Sequence, residues 1–568
     1  MRYLALACDY DGTLAKDGRV AAATLKALER LRESGRRLIL VTGRELENLM
    51  SVFGEIGLCD IAVLENGALI YRPGDRSTKL LAEAPPETFV ELLRQRDVAP
   101  LSTGRAIVAT WEPHETTVLE AIHEMGLEMQ VIFNKGAVMA LPSGVNKGTG
   151  LYHALDELEL APHNVVGIGD AENDHAFLAC CECAVAVDNA LPVLKERADL
   201  VTKGARGAGV VELIERLLTN DLIDLELSRH NILIGTSPSG EESWVHPYGS
   251  RVLVAGPSGS GKSMCTTALL ERLAEHGYQF CLVDPEGDYE GFESTVRLGD
   301  SERVPSIDEV LQVLARPNQS VIVNLLGIKL EDRPQFFTTL APRLVELGLR
   351  TGRPHWLVID EAHHLLPVQR TQASATLPND FQGVMLVTVH IDRVAPAALE
   401  PVTTAIAVGG GADRTLRTFA KAVGEPSPAP VHNHLGPGEV AVWHRVRGSS
   451  PVKIKLEPAS ADHRRHKRKY AKGELMDEEC FYFRGPEHKL NLKAQNLVIF
   501  AQLAQGIDDE TWLHHLRQGD YSRWFERAIK DDQLGADAAE IEQDEDLSAE
   551  ESRRRILAAI EERYTLPA

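Results

Sequence analysis

Several things are missing from this chain, and each absence removes a class of function. No run approaches the ~18 apolar residues a bilayer-spanning helix needs, so a membrane role is not expected. The short run Leu4-Ala5-Leu6-Ala7-Cys8 superficially resembles a lipoprotein cleavage site, but it is too short for a signal and runs into Asp9; it reads as a buried first strand. Eight cysteines show no framework spacing, which excludes a disulfide scaffold. The one C-x-x-C pair, Cys180 to Cys183, lies in an apolar stretch without the second ligand pair of a zinc site. Buried thiols in a reducing cytoplasm are the expectation. Positive charge is also short: the net charge of −23 argues against a surface coated in nucleic-acid contacts. Residues 531–568 hold 12 Asp/Glu against 4 Lys/Arg, so −8 of that charge belongs to the last segment. There is no internal repeat and no long low-complexity tract.

What is present is the composition of a globular protein, 44% apolar and 25% charged, in 568 residues, too many for one core. Short apolar runs alternate with helical patterns twice over. The first series, 1–220, predicts strands at 3–8, 37–41, 61–65, 165–168 and 184–187, with a small inserted α+β module at about 80–142. The second, 221–458, predicts strands at 251–255, 279–283, 321–325, 356–359, 384–389 and 405–408. A small, mostly helical C-terminal domain is expected at 459–532, opening on a basic run at 463–469 that reads as a solvated linker. Residues 533–568 read as an acidic tail with one short helix, from Ile556, Ile560 and Tyr564 at four-residue steps. The fold class is α/β: a Rossmann-like domain with a cap, then a RecA-like domain.

Chemistry is concentrated at predicted strand ends, where open α/β sheets bind ligands. Asp9-Tyr10-Asp11-Gly12-Thr13 follows the first strand; one carboxylate can attack phosphorus while the other protonates the leaving oxygen. An anion approaching an anion needs positive charge. Thr42-Gly43-Arg44 offers a hydroxyl and a cation, and Lys147 can balance the nucleophile and phosphate charges. Gly169-Asp170-Ala171-Glu172-Asn173-Asp174 offers hard oxygen ligands for Mg²⁺. These four elements, in this order, resemble the haloacid dehalogenase superfamily, specifically phosphatases with an inserted type-C2 cap. Leu64-Glu65-Asn66-Gly67-Ala68 and Val187-Asp188-Asn189-Ala190 also look like that subgroup. The resemblance implies Asp9 as nucleophile and Asp11 as acid/base. It implies Mg²⁺ held by Asp9, the Asp11 backbone, Asp170 and Asp174, and Arg44, Asn66, Gly67 and Asn173 as substrate-binding residues. Ala171 departs from the commoner Gly, which matters only if that backbone needs a positive φ. The short cap resembles those of phosphoglycolate and sugar-phosphate phosphatases, and so favours a small phosphorylated metabolite.

Gly256-Pro257-Ser258-Gly259-Ser260-Gly261-Lys262-Ser263 is a complete phosphate-binding loop between a predicted strand and a helix. Its backbone N–H groups would cradle the phosphates of ATP, Lys262 would reach the β/γ oxygens, and Ser263 would ligate Mg²⁺. Asp360-Glu361 ends a later apolar strand: Asp360 would position the metal and Glu361 could polarise the attacking water. His363 and His364 receive no role. Residues 225–455 resemble the HerA–FtsK and VirB4 group of ring-forming ATPases, on the loop, on Asp284-Pro285-Glu286-Gly287-Asp288-Tyr289 and on Asp360-Glu361-Ala362-His363. That resemblance implies a homo-oligomer, typically a hexamer, with an arginine donated by the neighbour; Arg393, Arg414 and Arg417 are candidates. His390 departs from the polar Gln common at the sensor position.

The leading expectation is a cytoplasmic Mg²⁺-dependent phosphatase joined to an ATPase that regulates or assembles it. The alternative is a HerA–FtsK-like nucleic-acid motor whose phosphatase acts on nucleotides or polynucleotide ends. A polynucleotide kinase-phosphatase is disfavoured by Glu361, because a kinase must suppress water activation. A non-enzymatic ATP-dependent switch is the remaining reading.

Overall fold

The computed structural model describes residues 1–134, 136–289, 295–368, 381, 383–431, 435–445, 450–457, 480–486, 490, 492–529, 531–544 and 547–564. The basic run at 463–469 lies outside them. Continuous apolar runs become strands because helices cover both faces of a mainly parallel sheet, so no polar alternation is needed. The first sheet starts with β1 (Ala5–Asp9), β2 (Arg37–Val41), β3 (Ile61–Leu64), β4 (Leu69–Arg72) and β5 (Ser77–Leu80). The chain then builds a separate antiparallel sheet from β6 (Ser102–Thr103), β7 (Val108–Trp111), β8 (Met129–Asn134) and β9 (Ala137–Pro142). Helices Glu87–Gln95 and Glu115–Glu124 pack with that sheet over a core that includes Phe89, Leu93, Val118 and Ala140. It returns to the first sheet as β10 (Val165–Gly169), β11 (Cys183–Ala186) and β12 (Leu200–Val201), giving the order β12-β11-β10-β1-β2-β3-β4-β5. Only β4 and β5 run antiparallel to their neighbours there.

The second sheet has eleven strands: β13 (Ile232–Thr236), β14 (Glu242–Val245), β15 (Arg251–Ala255), β16 (Phe280–Asp284), β17 (Thr295–Leu298), β18 (Ser320–Asn324), β19 (Trp356–Ile359), β20 (Gly383–Thr388), β21 (Thr404–Val408), β22 (Glu439–His444) and β23 (Val452–Leu456). Its order is β14-β13-β23-β22-β21-β15-β20-β19-β16-β18-β17. The strand β20 therefore lies between β15, which leads into the phosphate-binding loop, and β19, which leads into Asp360. The antiparallel strands β22, β23, β13 and β14 extend one edge. The sequence patterns miss these edge strands, together with β4 and β5.

A third core gathers Phe481, Phe483, Phe500, Trp512, Tyr521 and Trp524 with Ile556 and Ile560. It combines a hairpin, β24 (Phe481–Phe483) and β25 (Leu492–Ala494), with helices. Residues 533–568, expected as a tail with one short helix, are corrected by two helices, Asp532–Gln543 and Ala549–Tyr564. Ala538, Ile556 and Ile560 are buried in the same core as Trp512, so the acidic composition marks solvated faces.

The two large sheets meet at their N-terminal edges. Glu182, immediately before β11, is fully buried: its carboxylate accepts from Arg2 (2.6 Å), from the Tyr278 hydroxyl (2.9 Å) and pairs with His163 Nδ1 (2.6 Å). Tyr278 precedes β16 and stacks on the His163 ring at 3.8 Å. Arg353, before β19, donates to the Glu159 carbonyl at 2.9 Å. Among the described residues no helix is long and apolar enough to cross a membrane.

Candidate active sites

The first site forms where β1, β2 and β10 end side by side. Lys147, from the helix Lys147–Glu157, is almost wholly buried and bridges Asp9 Oδ1 at 2.6 Å and Asp174 Oδ1 at 2.5 Å. One carboxylate oxygen each from Asp9, Asp170 and Asp174 lies within 4.8 Å of the others. Burial first, then the Asp174 carboxylate, pushes the Asp9 carboxyl up to about 8, against the pull of Lys147. Three buried carboxylates facing one ammonium leave negative charge that a divalent cation would neutralise, and carboxylate oxygens are the donors Mg²⁺ prefers. The residues present therefore fit the implied metal.

Neighbouring groups hold these side chains in place. Asp174 Oδ2 accepts the N–H groups of Asp170 (2.8 Å) and Ala171 (2.9 Å). Ala171 itself has φ −123° and ψ 171°, ordinary extended backbone, so the missing Gly brings no strain. Thr42 is buried, and its Oγ1 accepts the Arg44 N–H at 3.2 Å. The Arg44 side chain grips Asp11 with two bonds, 2.6 Å and 2.7 Å, so the expected phosphate-binding cation is paired here with the expected acid/base. Asn66 and Asn173 bind each other at 2.9 Å, and Asn66 also donates to Met139 Sδ of the cap at 3.0 Å. Gly67 has φ 105°, and a Cβ there would lie 1.9 Å from the Asn146 carbonyl oxygen. Only glycine lets this loop pass beneath the start of the helix that carries Lys147.

The second site forms at the ends of β15, β19 and β20. Gly261, with φ 97°, turns the loop into the helix Lys262–Glu275, whose N-terminus is a natural anion site. Lys262 lies back over the loop, donating to the Pro257 carbonyl at 3.0 Å. Asp360 is buried, and burial together with Glu361, Asp284 and Asp288 pushes its carboxyl well above the usual range. Asp360 and Ser263 offer the hard oxygen donors that a divalent cation takes. Arg414 and Arg417 line a cavity of about 480 Å³ beside Gly409–Gly411. A Cβ on Gly409 would lie 2.6 Å from Ser260 Cβ, so that cavity adjoins the phosphate loop.

The family model for haloacid dehalogenase-like hydrolases matches residues 6–109 and 108–214. The phosphoglycolate phosphatase 2 of Saccharolobus solfataricus is 31% identical over 223 residues, 38% of this chain and 93% of that protein. The chain belongs to the haloacid dehalogenase-like hydrolases. The phosphoglycolate phosphatase of Methanothermobacter thermautotrophicus is 32% identical over 222 residues, 38% of this chain and 98% of that protein. A solved haloacid dehalogenase-like hydrolase from Bacteroides thetaiotaomicron is 19% identical, covers 38% of this chain and 99% of its own, and has a TM-score of 0.34. A second family model, an AAA domain, matches residues 248–389.

Sequence reasoning places Glu65, Asn189 and Asp284 inside motifs but assigns none of them a role. Glu65 is 1% exposed and its carboxylate accepts the N–H groups of Arg105 (2.9 Å), Ala106 (2.8 Å) and Ile107 (3.1 Å), tying core to cap. Asn189 Nδ2 donates to the Gly12 carbonyl (2.9 Å) and to Asp170 Oδ2 (3.3 Å), joining two of the motif loops. Asp284 organises the loop after β16 by accepting the N–H groups of Gly287 and Tyr289. The signal for each is its place inside a motif at a strand end, which does not say what the side chain binds.

Proposed function

We propose that the chain is a Mg²⁺-dependent phosphomonoesterase acting on a small phosphorylated metabolite, phosphoglycolate or a sugar phosphate, joined to an ATP-hydrolysing domain that regulates or assembles it. The observation that carries the first half is Lys147 bridging Asp9 and Asp174 beside Asp170. The names of the two phosphoglycolate phosphatase relatives support the substrate class. Asp9 attacks phosphorus, forming an aspartyl phosphate, and Asp11 protonates the leaving oxygen and then takes a proton from the hydrolytic water. Arg44 would leave Asp11 for a phosphate oxygen as substrate enters, with Thr42 donating its hydroxyl. Lys147 orients Asp9 and offsets charge. Bound at Asp9, Asp170 and Asp174, Mg²⁺ would supply further charge neutralisation at the phosphoryl oxygens.

The AAA match and the Asp360-Glu361 pair beside the phosphate loop support the second half. Lys262 and Ser263 would hold the phosphates and their Mg²⁺, and Glu361 would activate water. We take the functional units as 1–220, 221–458 and 459–568, in a cytoplasmic homo-oligomer, with a hexamer as the expected form. The test is phosphate release from ATP and from a panel of small phosphomonoesters, with and without DNA. Metabolite turnover abolished by Asp9→Asn but retained by Lys262→Ala supports the proposal. Turnover of no monoester, or ATP hydrolysis that appears only with DNA, overturns it.

A further inference from the structure

The turn after β19 holds an arrangement that the hydrolysis chemistry above leaves unused. Glu361 has φ 41° and ψ 51°, a left-handed conformation uncommon for glutamate and frequent where a site holds strain. It opens the short helix Ala362–Leu365, which carries His363. The His363 side chain is 7% exposed, and its Nδ1 lies 3.1 Å from Thr388 Oγ1 and 3.4 Å from Glu361 Oε2. Thr388 ends β20 and pairs in register with Ala255, the residue before the phosphate loop. Its hydroxyl oxygen also accepts the His390 N–H at 3.0 Å, and the His390 ring meets His363 edge to face at 5.1 Å. The nitrogen facing a carboxylate must carry the hydrogen, because an ionised carboxylate can only accept. Burial first, then the neighbouring His364, His390, Arg393 and Lys262, pushes His363 down to about 3, so the ring has a single N–H to place. That N–H belongs at Nδ1, where it reaches Thr388 Oγ1 at 3.1 Å, with Glu361 Oε2 nearby at 3.4 Å but outside hydrogen-bond geometry.

We propose that His363 is a positioning residue for ATP hydrolysis: its Nδ1–H holds the Glu361 carboxylate in register with Thr388, beside the phosphate loop. This rests on Glu361 as the water activator. The 3.4 Å separation is long for a hydrogen bond, as such contacts are before the reacting complex forms. The arrangement joins three strand ends, β15 through the Ala255–Thr388 register, β20 through Thr388 and β19 through Glu361. It also gives the His390 departure a setting, since the sensor strand meets Glu361 through an imidazole.

Asparagine and glutamine separate this role from simple packing. An asparagine amide nitrogen lies where Nδ1 lies, and a glutamine amide nitrogen lies nearer Nε2. His363→Ala should lower kcat for ATP about tenfold or more, the effect expected when a catalytic group is misplaced by a fraction of an ångström. The dissociation constant of a fluorescent ATP analogue should move less than about twofold, because Lys262 and the loop are untouched. His363→Asn should restore most of the lost kcat and His363→Gln should not, with thermal melts showing that all three variants fold. An Ala variant with unchanged or raised kcat, equal effects of Asn and Gln, or a loss lying wholly in nucleotide affinity overturns the proposal. Lys262→Ala separates the two levels. If wild-type turnover depends on Lys262 while the His363 series is flat, only this proposal falls. If wild type hydrolyses no ATP, the ATPase reading falls and takes this proposal with it.

Discussion

Asp9 shows how one residue's charge state ties stability to metal. With three buried carboxylates around one lysine, its carboxyl is pushed from the ordinary 3.8 up to about 8, chiefly by burial. The folded state therefore holds a proton that the unfolded chain has lost anywhere between those values. By linkage, stability of the metal-free protein falls as pH rises through that window, because ionising Asp9 is disfavoured only in the folded state. A cation among the three carboxylates reverses the preference, so metal and proton compete. Below pH 8 the apparent Mg²⁺ affinity should weaken by up to about tenfold per unit. Melting temperatures with and without Mg²⁺ at pH 6 and pH 9 check this: the metal should stabilise more at the higher pH, and Asp9→Asn should flatten the difference. A Mg²⁺ effect independent of pH would contradict the charge account. At this scale the sequence is informative wherever a motif states its own chemistry, as in Asp9 and Asp11, the phosphate loop, and Asp360-Glu361. It is silent on partners. That Arg44 grips Asp11 and that Asn66 binds Asn173 depend on side chains distant in sequence, and no spacing carries that information.

Between residue and molecule, strands and loops decide what can be read in advance. The strands β1, β2, β10, β15 and β19 are apolar runs buried on both faces, so their patterns fall within a residue or two of the observed ends. The edge strand β5, Ser-Thr-Lys-Leu, is wholly exposed and has no apolar pattern to find. The acidic end segment misleads for the opposite reason: sparse apolar residues such as Ile556 and Ile560 suffice once an aromatic core waits for them. Glu65 shows the functional weight of a loop. It sits in a left-handed conformation at the end of β3 and collects three N–H groups from residues 105–107 of the cap segment. Replacing it with glutamine would turn an NH₂ group toward those donors, leaving at least one unsatisfied, at a cost of about 1–3 kcal/mol. The cap should then dwell more often away from the site. Glu65→Gln should raise KM and lower kcat for the monoester, by about tenfold in kcat/KM. Amide exchange at residues 105–107 should accelerate in step. Lost activity with unchanged exchange at those amides would assign Glu65 a role other than latching.

At the scale of the whole molecule, the direction of the strands settles how the two sites face. The junction residues Arg2, His163, Glu182, Tyr278 and Arg353 all precede strands, whereas Asp9 closes its strand and Thr42, Asp170, the phosphate loop and Asp360 follow theirs. Two sheets joined at their N-terminal edges carry their sites at opposite ends, so a product cannot pass directly from one to the other. Any coupling has to run through the strands and the polar junction between them. Glu182 is the hub of that junction. Burial alone would raise its carboxyl, but the hydrogen bond and charge of His163 and the Arg2 guanidinium bring it from 4.5 down to about 2. A carboxyl depressed in the folded state stabilises above its unfolded value and loses that contribution as pH falls through the depressed one. The junction should therefore weaken between pH 4.5 and about 2. Glu182→Gln leaves the half-buried Arg2 and the buried His163 without their anion, a loss of about 3 kcal/mol. Urea unfolding of wild type and Glu182→Gln at pH 7 and pH 3 tests the assignment. The gap between their midpoints should be wide at pH 7 and should narrow at pH 3, where the unfolded wild-type chain has taken up the proton that the folded Glu182 still refuses. An equal gap at both values would place the stability of the junction elsewhere, in the stacking of Tyr278 on His163 and in Arg353 reaching the Glu159 carbonyl.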